Sequence, residues 1–203
     1  MFNDLRSTIA LMKTRRSGRP RDLVAPGPSP DELRQILAIA MRAPDHGKLH
    51  PWRFVHVASD KRAAFADLLQ AAYRIDNPDP GRLEIEAAER FARQAPELIV
   101  ALSSPTLDHK IPVWEQQLSC GAACMNLVLA THALGYAAGW VTGWAAYSPA
   151  VLAAFGAPPE RIAGFLFLGT PGAELEERLR PDFGDVVSEW TPPRGRSEIS
   201  SGV

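Results

Sequence analysis

Cysteine is scarce in this chain. Cys120 and Cys124 are the two thiols in 203 residues. Two cannot build a disulfide framework, and a chain this long buries a core without one. A reducing cytoplasm is therefore the expected compartment. There is no excess of positive charge: 22 Lys plus Arg stand against 23 Asp plus Glu, a net charge of −1. Broad electrostatic binding to nucleic acid normally needs a basic domain or face, so it is not expected. Long apolar runs are missing too. The most apolar stretch, 118–134, is interrupted by Ser119, Asn126, Thr131 and His132, which suits a buried helix better than a membrane span. Met1-Phe2-Asn3-Asp4 is not a basic start followed by an apolar stretch, so no signal peptide is expected. No Gly-x-Gly-x-x-Gly, Walker, Gly-x-Ser-x-Gly or His-Glu-x-x-His pattern occurs. The nucleotide folds, hydrolases and metalloproteases built on those patterns lose their support.

What is present alternates helix with strand. Leu5, Ile9 and Met12 recur at helical spacing. Val24–Pro28 reads as a loop. Ser29-Pro30-Asp31-Glu32 opens a second helix with a capping Ser, a first-turn Pro and the Glu of a capping box. Leu33, Ile36, Leu37, Ala40 and Met41 form its stripe, and Pro44 ends it near Arg42. Trp52–Val57 is strand-like. A helix over 61–74 turns Phe65, Leu68, Leu69 and Ala72 inward. A polar helix over 83–93 suits a lid or surface position. Glu97–Leu102 and Ile162–Leu168 read as buried strands, and Ala137–Thr142 as a Gly-rich one. A long helix starts at Pro112 and closes at Gly135. A short one runs from Ser148-Pro149 to Gly156. About four strands make a small α+β sandwich, more easily completed by dimerisation. The whole chain, 1–203, reads as one domain, with 172–203 as a polar arm or a frayed tail.

Several constellations could carry chemistry. Arg15-Arg16-Ser17-Gly18-Arg19 joins guanidinium groups, which grip phosphate bidentately, to a hydroxyl and backbone N–H groups; a solvated basic turn has the same composition. Ala43-Pro44-Asp45-His46-Gly47-Lys48-Leu49-His50-Pro51-Trp52 concentrates two imidazoles, a carboxylate and an ammonium in one loop. It reads as a functional loop, as a turn rich in capping residues, or more weakly as a metal site of Asp45, His46 and His50. Gly139-Trp140-Val141-Thr142-Gly143-Trp144 lets backbone approach a flat ligand beside indole faces, or packs its Trp in the core. Cys120 and Cys124 share a helix face and read as small core residues ahead of a redox or zinc pair. Arg178-Leu179-Arg180-Pro181 is a further anion contact or solvated charge.

Taken in order, these pieces resemble the nitroreductase family of FMN-dependent oxidoreductases, and its smaller YdjA-like branch. The resemblance rests on Arg15–Arg19, on Ala43–Trp52, and on His109-Lys110-x-Pro112-x-Trp114-Glu115-Gln116. Gly139-Trp140 and Gly164-Phe165-Leu166-Phe167-Leu168-Gly169-Thr170-Pro171 add to it. It spans residues 5 to 171. It implies an α-β-α sandwich with a small, mixed, largely antiparallel sheet, working as an intertwined homodimer with two FMN sites at the interface. It sets Arg15, Arg16, Ser17 and Arg19 on the FMN phosphate and ribityl end. Arg42 and His46 would reach the flavin from across the interface. Trp140, Val141, Thr142 and Gly143 would lie beside it. Lys48 and His50 replace the Asn and Gln common at the flavin edge. A lysine near N1/O2 would stabilise the reduced, anionic flavin and raise its potential.

The implied activity is hydride transfer from NAD(P)H through FMN to a nitroaromatic, a quinone or a similar small acceptor, by ping-pong kinetics, with no catalytic side chain and no metal. A specialised flavin enzyme for one metabolite and a flavin-binding storage or sensing protein are the alternatives.

Overall fold

The computed structural model describes residues 2–192. Helix α1 (Thr8–Thr14) begins on Ser7, whose hydroxyl accepts from the Ala10 N–H. Its buried residue is Leu11. The predicted stripe faces outward instead, with Leu5, Ile9 and Met12 all exposed. Helix α2 (Pro30–Ala40) begins on the expected capping box: Ser29 and Glu32 each accept the other's backbone N–H.

The remaining elements follow the sequence closely. They are strand β2 (Trp52–His56), helices α3 (Arg62–Asp76) and α4 (Arg82–Ala92), and strand β3 (Glu97–Ser103). Helix α5 (Val113–Ala133), strand β4 (Ala137–Val141), and helices α6 (Trp144–Tyr147) and α7 (Pro149–Leu152) come next. Strand β5 (Arg161–Pro171) and the single turn α8 (Phe183–Val186) complete the order. Three of these elements were not expected: the two-residue strand β1 (Leu23–Val24), α6 and α8. Helix α5 stops as its sequence requires. Gly135 takes φ 90°, its N–H reaches the His132 carbonyl, and the Tyr136 N–H reaches that of Thr131. That is a Schellman ending.

Five strands form one sheet in the order β1-β5-β3-β2, with β4 also paired to β5. Every one of these pairings is antiparallel. Strands β3 and β5 are central, and alternation sorts their side chains into two cores. Leu98, Val100, Leu102, Phe165 and Phe167 pack beneath α3, α4, α6 and α7. Ile99, Ala101, Leu166 and Leu168 pack beneath α2 and α5. The result is three layers, with helices on both faces of the sheet. Helix α4 belongs to the outer layer but is anchored there: Phe91 stands edge-on to Phe165 and Phe167, both at 5.2 Å. The buried Arg62 ties this layer together by donating to the carbonyls of Val57, Ala92, Gln94 and Pro96.

Candidate functional site

The arginine turn follows directly from the end of α1. Arg15 is the helix's C-cap, and its Nη1 donates to Ser17 Oγ at 3.3 Å. The Gly18 N–H then donates to the Ala138 carbonyl at 3.2 Å, docking the turn onto β4. The approach is close: a Cβ added to Gly139 would lie 2.5 Å from the Gly18 carbonyl oxygen.

Positive charge converges on this turn. Burial, and then the neighbouring Arg180, Arg16 and Arg178, lower Arg15's proton affinity below that of an ordinary arginine. The Arg16 side chain is 12 % exposed, and its Nε is buried with no hydrogen-bond partner among the described residues. A buried N–H donor without an acceptor is costly, and an anion is what would satisfy it. Glu177 and Glu176 of the tail engage the outer nitrogens of Arg16 and Arg19 respectively. A cavity of about 180 Å³ lies between the turn and the tail, lined in part by Ser17, Arg19, Glu176 and Arg178.

His132, in the last turn of α5, backs the turn. It is fully buried, and burial, followed by the charge of Arg15, pushes its pKa down to about 3. The Ala138 N–H approaches its Nε2 at 3.5 Å.

Trp140, Val141, Thr142 and Gly143 continue from this contact along β4 toward α6. Gly164 on the neighbouring strand has φ 154°, and a side chain there would strike the Trp140 indole. That indole donates to the Ala163 carbonyl at 3.1 Å. Thr142 and Gly143 then form one wall of a second cavity, of about 260 Å³, under α3 and α4.

The 43–52 loop lies elsewhere. Asp45 shapes it, accepting the Leu49 and His50 N–H groups at 3.0 and 2.9 Å. Gly47, Lys48 and His50 all have positive φ, of 79°, 56° and 50°. For Lys48 and His50 this is a strained conformation that the surrounding structure must hold. Arg42, His46, Lys48 and His50 are all exposed. His46 Nδ1 lies 2.8 Å from the carboxylate of Glu115, in the first turn of α5.

The sequence-derived site residues therefore fall into two groups. Arg15, Arg16, Ser17 and Arg19 adjoin β4 and its Trp140–Gly143 continuation. Arg42, His46, Lys48 and His50 gather at the opposite end of α5. Glu115 and His132 mark the first and last turns of that helix, about 25 Å apart at the normal helical rise. The sheet agrees. Trp52, which ends the loop, pairs through Ser103 to Arg161, whereas Leu23, just after the turn, pairs with Pro171 at the other end of β5.

The sequence reading did not single out Glu176, Glu177 or His132. Their signal is long-range: two carboxylates in a polar tail, and one histidine in the last turn of a long helix. Among the described residues no group of three or more His, Cys, Asp or Glu is placed to hold a metal ion. Cys120 and Cys124 are free and buried, as core residues are. No helix of the described residues is long and apolar enough to cross a membrane.

Residues 12–170 match the model of the nitroreductase family. A Haemophilus influenzae protein provisionally named NAD(P)H nitroreductase is 38 % identical, over 84 % of this chain and 91 % of its own length. Escherichia coli YdjA, also provisionally named NAD(P)H nitroreductase, is 36 % identical, over 80 % of this chain and 87 % of its own. Among solved structures, the nitroreductase-like family protein of Bacillus cereus superposes with a TM-score of 0.75 at 21 % identity, covering 92 % of this chain and 97 % of that one. The nitroreductase of Bacteroides fragilis with bound FMN gives 0.68 at 23 % identity, covering 90 % and 99 %. The fold, the order of the motifs and relatives of this closeness agree: the chain belongs to the nitroreductase family of oxidoreductases.

Proposed function

We propose that this oxidoreductase is an FMN-dependent NAD(P)H reductase of small acceptors, nitroaromatics or quinones, and that it works as a homodimer with each site shared between two copies. The observation that carries the reading is the buried Arg16 Nε, a donor without an acceptor among the described residues, inside a cluster of guanidinium groups. A dianionic phosphate monoester fits that donor set in charge and geometry. Arg15, Arg16, Ser17 and Arg19 would hold it, with Arg178 and Arg180 adding charge from the tail. Trp140, Val141, Thr142 and Gly143 would then lie beside the ring system, as backbone and an apolar wall that keep water out.

Bound FMN supplies the redox chemistry, taking hydride from a nicotinamide and passing electrons to the acceptor. Because donor and acceptor would use one pocket in turn, turnover is ping-pong. The chain's own residues bind, orient and tune. Lys48 brings positive charge to the ring edge, where it favours the negative charge gained on reduction.

The separation of the two residue groups supports the dimer. Arg42, His46, Lys48 and His50 cannot join the arginine turn of their own protomer, but they can join that of a second copy packed antiparallel along α5. That helix presents Trp114, Leu118 and Met125 to solvent, at 67 %, 54 % and 36 % exposure, an apolar stripe that suits burial against a partner. Exposed Leu5, Ile9 and Met12 extend the surface, and Phe183 and Trp190 of the tail add to it. Residues 172–192 then serve as an arm; the rest of the expected arm, 193–203, lies outside the described residues. The two unpaired cysteines suit the cytoplasm.

The test is the visible spectrum of the purified protein, followed anaerobically on adding NADPH and then NADH. Flavin bands that bleach with a donor are the expected result. A protein that binds no added FMN would overturn the reading.

A further inference from the structure

The cavity that begins at Thr142 and Gly143 has a one-sided chemistry. Its other walls are Leu69 and Tyr73 of α3, Glu84, Ala87, Ala88 and Phe91 of α4, and Trp144 and Ala145 of α6. No Lys, Arg or His lines it, and its one charged side chain is a carboxylate. The aromatic groups are held firmly. The Tyr73 and Trp144 rings meet edge-to-face at 4.7 Å. The Trp144 indole N–H donates to the Asp76 carboxylate at 2.9 Å, which leaves more negative charge on that ring's surroundings. Glu84 is held in place by two hydrogen bonds: one oxygen accepts from the Tyr73 hydroxyl at 3.0 Å and the other from the Gly81 N–H at 2.8 Å. Each oxygen keeps a free lone pair.

Electron-rich ring faces around a fixed carboxylate attract organic cations and repel anions. We propose that this cavity is the acceptor pocket and that it selects small aromatic acceptors carrying a positive charge over those carrying a negative one, with Glu84, Tyr73 and Trp144 as the selecting residues. The assignment of the cavity to the acceptor rests on the flavin reading, which sets Thr142 and Gly143 beside the ring system. The charge preference rests on the cavity's own walls. Its volume, about 260 Å³, suits a single substituted ring.

Two compounds of one scaffold separate the terms: 4-nitrobenzyltrimethylammonium and 4-nitrobenzoate. Titrating the purified protein with each, and reading the quenching of Trp144 fluorescence against a Trp144→Phe control, measures binding alone. The cation should bind about tenfold more tightly, the size of a partly desolvated cation–aromatic and carboxylate contact. Glu84→Gln keeps an oxygen for the Gly81 cap and removes the charge, and should bring the two affinities together. Tyr73→Phe frees one carboxylate oxygen without removing charge, and should preserve the preference. Equal or tighter binding of the benzoate, or a preference that survives Glu84→Gln, would overturn the proposal. The ratio of kcat/KM for the same two compounds as acceptors should follow the binding ratio. A protein that binds the cation selectively yet reduces neither compound contradicts the flavin reading and the pocket's assignment to the acceptor, and leaves the charge preference standing.

Discussion

The two ends of α5 differ in almost every physical respect. At the C-terminal end the arginine turn is packed, and one buried donor, Arg16 Nε, lacks an acceptor among the described residues. Arg16 is nearly buried, His132 is fully so, and carboxylates of the same chain reach the guanidinium groups. At the N-terminal end the 43–52 loop exposes His46, Lys48 and His50, with Arg42 exposed just before it, and among the described residues no hydrogen bond or ion pair is found for the Arg42 and Lys48 side chains. Its backbone nevertheless holds Lys48 and His50 at positive φ, pinned by Asp45. On the function proposed above, one end would be an anion cradle assembled within the protomer, and the other a display of polar groups that serves a partner's site. Strain at the exposed Lys48 and His50 is easy to account for if the loop completes a partner's site.

This contrast yields graded expectations. Arg16→Ala removes the buried donor and a guanidinium together. FMN affinity should fall by about 100-fold, the size of a lost charge-assisted phosphate contact. Unchanged affinity, measured by fluorescence titration, would show that the cradle holds something else.

The buried histidine at the C-terminal end of α5 should make the fold sensitive to acid. His132 has its folded pKa pushed down to about 3 by burial, against about 6.5 in an unfolded chain. Between those values the unfolded chain binds the proton and the folded one does not. This contribution to stability is therefore complete above about pH 6.5 and declines as the pH falls, by up to about 1.4 kcal/mol per pH unit. His132→Leu should lose less Tm than the wild type between pH 7 and pH 4. Parallel curves would remove His132 as a source of acid sensitivity.

Lys48→Ala tests the display end. The flavin midpoint potential should drop by about 30 mV, equivalent to a tenfold change in a two-electron equilibrium, while FMN binding changes little. A constant potential would remove Lys48 from the ring edge. The smallest effect belongs to the tail. Glu177 competes with any phosphate for Arg16, so Glu177→Gln should tighten FMN binding by about threefold, a fraction of a charged contact. Weaker binding would make Glu177 a supporting residue instead of a competitor.

Much of this molecule is written locally in its sequence. The Ser29–Glu32 cap, the Gly135 ending and the buried β3 and β5 runs each depend on a few neighbouring residues, and all are found where those residues place them. The arginine turn is equally local. What sequence could not show is long-range or too short to have a period. Strand β1 has two residues and exists because β5 pairs with it. Leu5, Ile9 and Met12 have helical spacing, but spacing does not say whether a stripe faces the chain's own core or a partner. The 15–19 and 43–52 segments are close in sequence, yet α2 and the sheet carry them to opposite ends of α5. The carboxylates that meet Arg16 and Arg19 come from far along the chain.

The central claim is that one site draws on both ends of α5 from different copies. It is tested by co-expressing two defective chains under separate tags, one carrying Arg15→Ala and Arg16→Ala, the other Lys48→Ala and His50→Ala, and isolating the mixed species. If sites are shared, one of the two sites in a mixed dimer has both defects and the other has neither. The half of the sites that bind FMN tightly should then show the wild-type midpoint potential and be reduced by NAD(P)H at the wild-type rate. If each protomer builds its own site, the mixed species contains no intact site. Its tightly bound FMN would then show the potential and reduction rate of the Lys48→Ala, His50→Ala parent, and the shared-site account would be contradicted.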